Sequence, residues 1–197
     1  MNDGVDLLLE FLHTVHDPDV MASPAHLFAW LESHGLVDPA ASASEDDVRT
    51  TRRLRAALIA LLAEQAGAPG DARTRTVIAA ATEAAPLRVT IADDGKPVLA
   101  PSGQGVPAAL ARLAAALYAA GLTGRIERMK VCRACGWPFY DASKNRSRVW
   151  CDMKLCGSRQ KARTYRERRA VSAGQNEPGY GLAGDLRNRG SSSVSPN

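Results

Sequence analysis

The four cysteines of the chain fall into two closely spaced pairs. They are Cys132, Cys135, Cys151 and Cys156. Two residues separate the first pair and four separate the second, so each pair can direct two thiolates at one ion. Two such pairs complete the tetrahedral sulfur shell that zinc favours. Each pair is followed by a glycine, Gly136 or Gly157, where a tight turn can need a positive φ and backbone amides must approach the sulfurs. This spacing predicts one structural Zn²⁺.

Other uses of paired cysteines fit the sequence less well. Disulfides belong to oxidising compartments, and residues 1–15 lack the basic start and the cleavage site of a signal peptide. A redox C-x-x-C motif belongs to a thioredoxin-like βαβ pattern, which the sequence does not show. A rubredoxin-like iron centre for electron transfer uses similar Cys-Gly turns and stays open as a third interpretation.

Charge is distributed unevenly along the chain. Residues 125–169 carry fourteen Lys or Arg and four Asp or Glu, a net charge of +10, whereas residues 1–124 carry nine and fifteen, a net charge of −6. Four thiolates and one Zn²⁺ total −2, so two or three cations suffice to balance the metal cluster. The remaining excess of positive charge predicts a polyanionic partner.

The basic residues form two groups. A helix predicted over residues 158–169 carries a stripe at i, i+4 and i+7, and a polar turn between the cysteine pairs carries the second group. The candidate nucleic-acid contacts are Arg159, Lys161, Arg163, Arg166, Lys144, Arg146 and Arg148. Arginine matches phosphate and guanine edges, and a helix suits the major groove, so double-stranded DNA is the expected partner.

Aromatic residues between the cysteines leave an alternative open. Phe139, Tyr140 and Trp150 can stack on unpaired bases, as in RNA-binding proteins, although aromatics in so small a unit more often form its core. The alternative function is therefore a zinc-stapled RNA-binding or protein-docking module. Residues 137–140 and 148–150 are predicted to form a hairpin around the polar turn.

Residues 1–124 predict a mostly helical domain with one small antiparallel hairpin. The second helix begins at Ser23-Pro24 and the third at Ser44, where Asp47 completes a capping box. The predicted helices span residues 5–15, 24–34, 45–66, 74–84 and 107–120, and the hairpin strands span residues 87–92 and 96–100.

No catalytic pattern stands out in this domain, so an enzyme is not expected. His13 and His16 are candidates for ligand binding, because histidines three residues apart can converge on one helix face. The longest apolar run, residues 106–122, is interrupted by Arg112 and falls short of a membrane span. The chain is therefore expected to be cytoplasmic, with no membrane partner.

The cysteine region resembles the CGNR zinc-finger family of bacterial proteins. The resemblance rests on the segments Cys132-x₂-Cys135-Gly136-Trp137, Trp150-Cys151 and Cys156-Gly157-Ser158-Arg159, with Ser158 where the family has Asn. It implies an N-terminal ABATE-type domain and a role in stress-induced transcription regulation. In ABATE-type sequences Asn commonly precedes Thr in the first helix, so the resemblance implies that Thr14 is a further candidate for ligand binding, although His13 stands here in place of the Asn.

These observations predict an α+β protein of three parts. Residues 1–124 form an ABATE-like helical domain for sensing a small-molecule effector or for homodimerisation. Residues 125–170 form a treble-clef-like zinc finger with a basic helix, and residues 171–197 form a disordered tail. A unit of about 40 residues cannot fold on apolar burial alone, so the metal must stabilise it. The predicted function is a zinc-dependent, DNA-binding transcriptional regulator.

Overall fold

The computed structural model describes residues 4–15 and 19–174, and the chain divides into two compact units, Met1–Ser158 and Arg159–Asn197. The described helices are α1 (Gly4–His13), α2 (Pro24–Ser33), α3 (Glu45–Gln65), α4 (Ala72–Glu83), α5 (Gly105–Leu122) and α6 (Ser158–Gly174). The strands are β1 (Leu87–Ile91), β2 (Pro97–Pro101), β3 (Met129–Val131) and β4 (Pro138–Tyr140). The predicted α+β class, mostly helical with small hairpins, is confirmed.

Helix starts follow the capping residues of the sequence. The Ser23 hydroxyl accepts a hydrogen bond from the His26 amide at the start of α2. At the start of α3, Ser44 and Asp47 satisfy each other's backbone amides in a capping box. These contacts pair amides that have no partner within the helix, and each cap typically contributes about 1 kcal/mol.

Helix α5 lies within the core of the first unit. Its buried residues Val106, Leu110 and Leu113 join a cluster with α1 and α3. By length and composition alone α5 could cross a membrane, so Arg112 does not disqualify this segment as the sequence suggested. Half of α5 is buried within the fold, as in core helices of soluble proteins, and Arg112 donates hydrogen bonds to the carbonyls of Gly35 and Leu36.

Strands β1 and β2 form the predicted antiparallel hairpin. Leu87 pairs with Pro101 and Ile91 pairs with Pro97. Gly95 occupies the turn with a φ of +79°, a conformation that favours glycine. Strand β2 packs against α5, whereas most of β1 is exposed.

The second hairpin differs from the one predicted. Strand β4 pairs with β3, which precedes Cys132, rather than with residues 148–150. The Arg148 amide donates instead to the Asp141 carboxylate at 2.9 Å, and the Asp141 amide donates to the Arg128 carbonyl at 2.7 Å. The hairpin therefore encloses the first cysteine pair, and residues 148–150 form no strand.

The apolar core of the helices continues beyond residue 124. Met129 of β3 is 1% exposed and belongs to the same buried cluster as Phe11 and Leu113. Val131 and Tyr140 pack against this cluster from the second hairpin. The segment that carries the first cysteine pair is thus seated on the helical core.

The disordered tail was predicted to begin at residue 171, whereas residues 171–174 continue α6. Residues 175–197 lie outside the described residues.

Candidate metal centre and basic surfaces

The four cysteine sulfurs converge on one point. Their Sγ atoms all lie within 4.8 Å of one another. The distances are 3.7 Å for Cys135 to Cys151, 3.7 Å for Cys151 to Cys156 and 3.6 Å for Cys135 to Cys156. A tetrahedron with Zn–S bonds of about 2.3 Å has edges of about 3.8 Å. The sulfur positions therefore match a tetrahedral zinc site.

The first pair sits in a tight turn inside the β3–β4 hairpin. The Gly136 amide donates to the Cys132 carbonyl at 2.9 Å, and the Cys132 amide donates to the Trp137 carbonyl at 2.8 Å. Gly136 has a φ of +75°, so the positive φ expected at this glycine is present. A residue with a side chain would be strained at this position.

The second pair ends in a π-helical turn, Met153–Gly157. The Asp152 side chain accepts from the Leu155 amide at 2.7 Å, and its carbonyl accepts from the Cys156 amide at 3.0 Å. Gly157 serves a packing role, because a Cβ there would lie 3.2 Å from Cδ1 of Trp150. A side chain at this position would therefore force the indole ring to shift by a few tenths of an ångström.

Without a cation, the pKa values of Cys132 and Cys151 shift in opposite directions. Burial raises the pKa of Cys132, but backbone hydrogen bonds from Cys151, Ala134 and Cys135 outweigh it and lower the pKa to about 6. Burial raises the pKa of Cys151, and the neighbouring thiols raise it further. A divalent cation at the centre stabilises all four thiolates at once.

The donor set fits zinc in number, type and spacing. Four thiolates in a closed shell are typical of a structural zinc site and leave no open position for a substrate. Zinc bound there would hold the hairpin and the π-helical turn together. The chemistry of the site is therefore structural rather than catalytic.

A buried carboxylate organises the loop between the cysteine pairs. Asp141 is fully buried and forms an ion pair of 2.7 Å with Lys130. Its carboxylate also accepts from the Ser143 amide and hydroxyl, at 3.0 and 2.6 Å, and from the Arg148 amide. Arg128 donates to the carbonyls of Asp141 and Ser143. The Asp141 side chain therefore fixes both ends of the loop of residues 141–148.

The environment of Asp141 favours its charged form. Burial raises the pKa of this carboxyl, but the hydrogen bonds from Lys130, Ser143 and Arg148 outweigh burial and hold the pKa well below its usual value. The sequence motifs did not predict a role for this residue. The spacing Asp141-x-Ser143, in which an Asp side chain accepts from the amide two residues on, was the available signal.

The three basic candidates on this loop differ in their partners. Lys144 is exposed and has no ion-pair partner among the described residues. Arg146, which has a φ of 51°, forms an ion pair with Glu127. Arg148 donates to the Cys151 carbonyl and lies 5.4 Å from the Phe139 ring centroid. Lys144 is therefore the most available of the three for an external ligand.

Helix α6 is highly basic and largely exposed. Arg159, Lys161, Arg163 and Arg166 are all exposed. Arg163 pairs with Glu167 at 2.8 Å, one turn further along the helix. Tyr165 is 61% exposed, and the Arg169 guanidinium lies 5.9 Å from the centroid of its ring.

The aromatic residues of the finger form its core. Phe139 is buried in a cluster with Cys132 and Cys156, and Trp137 and Trp150 are half-buried against this cluster. Tyr140 packs against the helical core. Their burial favours a structural role over base stacking.

The ligand candidates of the first helix contact other parts of the protein. The His13 ring stacks on Trp137 at 4.3 Å, and its Nε2 donates to the Pro138 carbonyl at 2.8 Å. Thr14 is buried and accepts a hydrogen bond of 2.9 Å from Arg55. The adjacent residues thus point to different partners, and His16 lies outside the described residues.

Comparison with protein families agrees with the resemblance seen in the sequence. Residues 128–169 match the CGNR zinc finger, and this match together with the sulfur geometry confirms the predicted single structural zinc ion. Residues 6–124 match the ABATE family, described as "Putative stress-induced transcription regulator". Comparison with curated proteins found no match. Since the ABATE match covers more than half of the chain, the protein belongs to the ABATE family and carries a CGNR zinc finger after its ABATE domain.

Proposed function

We propose that this protein is a cytoplasmic, zinc-dependent transcription regulator that binds double-stranded DNA. The description of its family and the presence of a zinc finger support a regulatory role. The observation that carries the DNA-binding part is the composition and exposure of α6. Residues 159–169 contain six Lys or Arg and one Glu, and none of the six cations is buried.

A helix of this kind gains little from apolar packing. Neutralising phosphates releases counterions from DNA, which gives a cationic helix affinity for a duplex. Arginine also presents a planar fork to guanine in the major groove. We assign Arg163 and Arg166 to phosphate or base contacts, with Arg159, Lys161 and the loop residue Lys144 as further contacts. Arg146 and Arg148 remain candidates, and like Arg163, which is paired with Glu167, they must exchange an intramolecular partner for DNA.

The acidic N-terminal domain has a different role in this proposal. Residues 1–124 have a net charge of −6, which disfavours binding to a polyanion. We assign this domain to sensing an effector or to forming a homodimer. The ABATE description, which concerns stress-induced regulation, supports this division.

The direct test is selection of bound duplexes from a random pool by the zinc-loaded full chain. Enrichment of a defined sequence is expected. Bound duplexes without enrichment would indicate non-specific affinity only. If single-stranded RNA competes better than any duplex, the RNA-binding alternative replaces the DNA proposal.

Substitutions in α6 test which residues carry the affinity. The double variant Arg163→Ala/Arg166→Ala should reduce the slope of log affinity against log salt by about 0.9 for each phosphate that is no longer neutralised. Removal of a hydrogen bond to a base should cost about 1–3 kcal/mol and relax preference at one base pair. Arg159→Ala requires a zinc assay first, because Arg159 is close in sequence to Cys156.

A variant with the same change in net charge controls for long-range electrostatics. Arg73→Ala/Arg88→Ala removes two exposed cations of the N-terminal domain and should leave the salt slope unchanged. Unchanged DNA binding by the zinc-loaded Arg163→Ala/Arg166→Ala variant would remove α6 from the interface and direct attention to the loop of Lys144.

A further inference from the structure

A cleft of about 470 Å³ lies between the last turn of α3 and the second hairpin, within the first compact unit. Its lining residues are Leu62, Gln65, Ala66, Glu127, Met129, Lys130, Val131, Arg133, Arg148 and Val149. Small-molecule sites usually occupy about 300–1,000 Å³ and combine an apolar surface with a few polar groups. The volume and the lining of this cleft both meet that description.

The floor of the cleft is apolar. Leu62 and Met129 are buried in the helical core, and Val131 and Val149 are half-buried beside them. The walls are held together by backbone contacts, since the Arg133 amide donates to the Val149 carbonyl at 3.1 Å. An apolar ring bound on this floor would be removed from water, and no ion pair would be displaced.

The rim of the cleft has an excess of available positive charge. Its one carboxylate, Glu127, is paired with Arg146, and Lys130 is paired with Asp141. Arg133 is exposed and has no ion-pair partner among the described residues. Arg133 can therefore bind an anionic group without giving up an existing partner.

The end of α3 does not cancel this charge. A helix C-terminus carries partial negative charge on its free carbonyls. Here the carbonyls of Leu62, Ala63 and Glu64 accept from the amides of Ala66, Gly67 and Ala68. The exposed Gln65 side chain adds an amide donor on the same wall.

We propose that this cleft binds a small amphipathic carboxylate. Its planar apolar body would lie on Leu62, Met129 and Val149, and its carboxylate would accept hydrogen bonds from Arg133, with Gln65 as a second donor. The site is a property of the first unit and does not depend on DNA binding, so either proposal can fail alone.

The test uses three ligands of one shape and different charge. Binding of 2-naphthoate, 2-naphthamide and 2-naphthylmethylamine to the zinc-loaded full chain is measured by titration calorimetry. We expect saturable 1:1 binding of 2-naphthoate, about tenfold or more tighter than the neutral amide, because a charge-assisted hydrogen bond is stronger than a neutral one. The amine should bind most weakly.

Variants then locate the site. Arg133→Gln should lower the affinity for 2-naphthoate to that of the amide and leave the affinity for the amide unchanged. Ala66→Trp, which fills the cleft from an exposed position, should abolish binding of both. Arg88→Gln removes the same charge from exposed β1 and should change neither. Each variant is first shown to retain one zinc per chain.

Three results would overturn the proposal. The first is no saturable binding of 2-naphthoate. The second is an equal loss of affinity in Arg133→Gln and Arg88→Gln, which would indicate general electrostatic attraction. The third is tighter binding of the amine than of the carboxylate.

Discussion

The helical domain and the cysteine segment that follows it are stabilised by different interactions. The helices bury large apolar side chains almost completely, among them Leu8, Phe11, Leu27 and Leu113. In the small cluster around the sulfurs, only Cys132, Phe139 and Cys156 are buried. Apolar burial therefore accounts for the first region, whereas we expect the second to depend on the metal.

Both regions contain a buried ion pair, and the two pairs have different uses. In the helical domain Arg55 is buried and pairs with Asp19, which is partly exposed. In the cysteine segment the carboxylate, Asp141, is the fully buried partner of Lys130. The first pair fixes the segment after α1 against α3, whereas the second fixes the loop between the metal ligands.

Removal of the metal should have the largest effect. Cys135→Ser, or chelation, removes a contribution of about 10–16 kcal/mol in apparent binding free energy. The segment 132–158 should then become protease-sensitive, while the far-UV circular dichroism of α1–α5 is mostly retained. Elemental analysis of the wild type should give one zinc per chain.

Two outcomes would contradict this prediction. A red-brown protein containing iron would show that the thiolates serve another metal. Loss of the whole helical signal on chelation would show that the helices depend on the metal as much as the hairpin does.

Asp141→Asn should have the next largest effect. The substitution removes the charge that neutralises the mostly buried Lys130 ammonium. Removal of one partner of a buried ion pair costs about 3–5 kcal/mol. Chemical unfolding of the zinc-loaded protein measures the change. Asp94→Asn removes an exposed carboxylate paired with Lys96 and should have no measurable effect.

The pH dependence of this difference follows from the low pKa of Asp141. Because its folded pKa lies below the ordinary 3.8, its stabilisation is fully present above that value and is lost as the pH falls through the folded pKa. The stability difference between wild type and Asp141→Asn should therefore be constant from about pH 5 to about pH 8. A difference that disappears within this range would mean that Asp141 is not the ionised partner.

The Asp141 loop also shows a limit of prediction from sequence. Local signals predicted the capped starts of α2 and α3 and the metal centre, because Ser44 and Asp47, and the two cysteines of each pair, are only a few residues apart. The strand that pairs with β4 was predicted wrongly. Residues 148–150 do not pair with it, because the Arg148 amide donates to the Asp141 carboxylate, seven residues earlier. Val149 and Trp150 are residue types typical of strands, and nothing in the local sequence reveals that the Arg148 amide is already paired with Asp141.

The burial of β3 in the helical core could not be predicted either. Met129 stands between Arg128 and Lys130, and a strand of three residues is too short for a clear alternation. The cleft beside it depends on the same docking of the hairpin onto α3. Such features arise from tertiary contacts between segments that are distant in sequence.

Met129→Ala should reduce stability by a smaller amount and tests whether the two regions share a core. Truncation of a buried Met costs about 2–5 kcal/mol, and here the loss should appear in the unfolding of the helices as well as of the hairpin. Leu122→Ala, at a residue that is 72% exposed, should change stability by less than about 0.5 kcal/mol. If Met129→Ala affects zinc retention alone, the two cores are separate.

The smallest expected effect concerns the contact between α1 and the hairpin. His13→Ala removes the stack on Trp137 and the hydrogen bond to Pro138. An aromatic stack contributes about 0.5–1.5 kcal/mol and a hydrogen bond about 0.5–1.5 kcal/mol, so urea unfolding should show a loss of about 1–3 kcal/mol. His13→Phe keeps an aromatic ring but no donor, and it should recover about half of that loss.

His26 provides the control for this contact, because it is an exposed histidine whose hydrogen bonds are to Ser23 within its own helix start. His26→Ala should leave the attachment of the hairpin unchanged. If His13→Phe is as destabilised as His13→Ala, the hydrogen bond alone joins α1 to Pro138. If His13→Ala unfolds like His26→Ala, α1 contributes nothing to holding the hairpin, and the shared core at Met129 is the connection between the two regions.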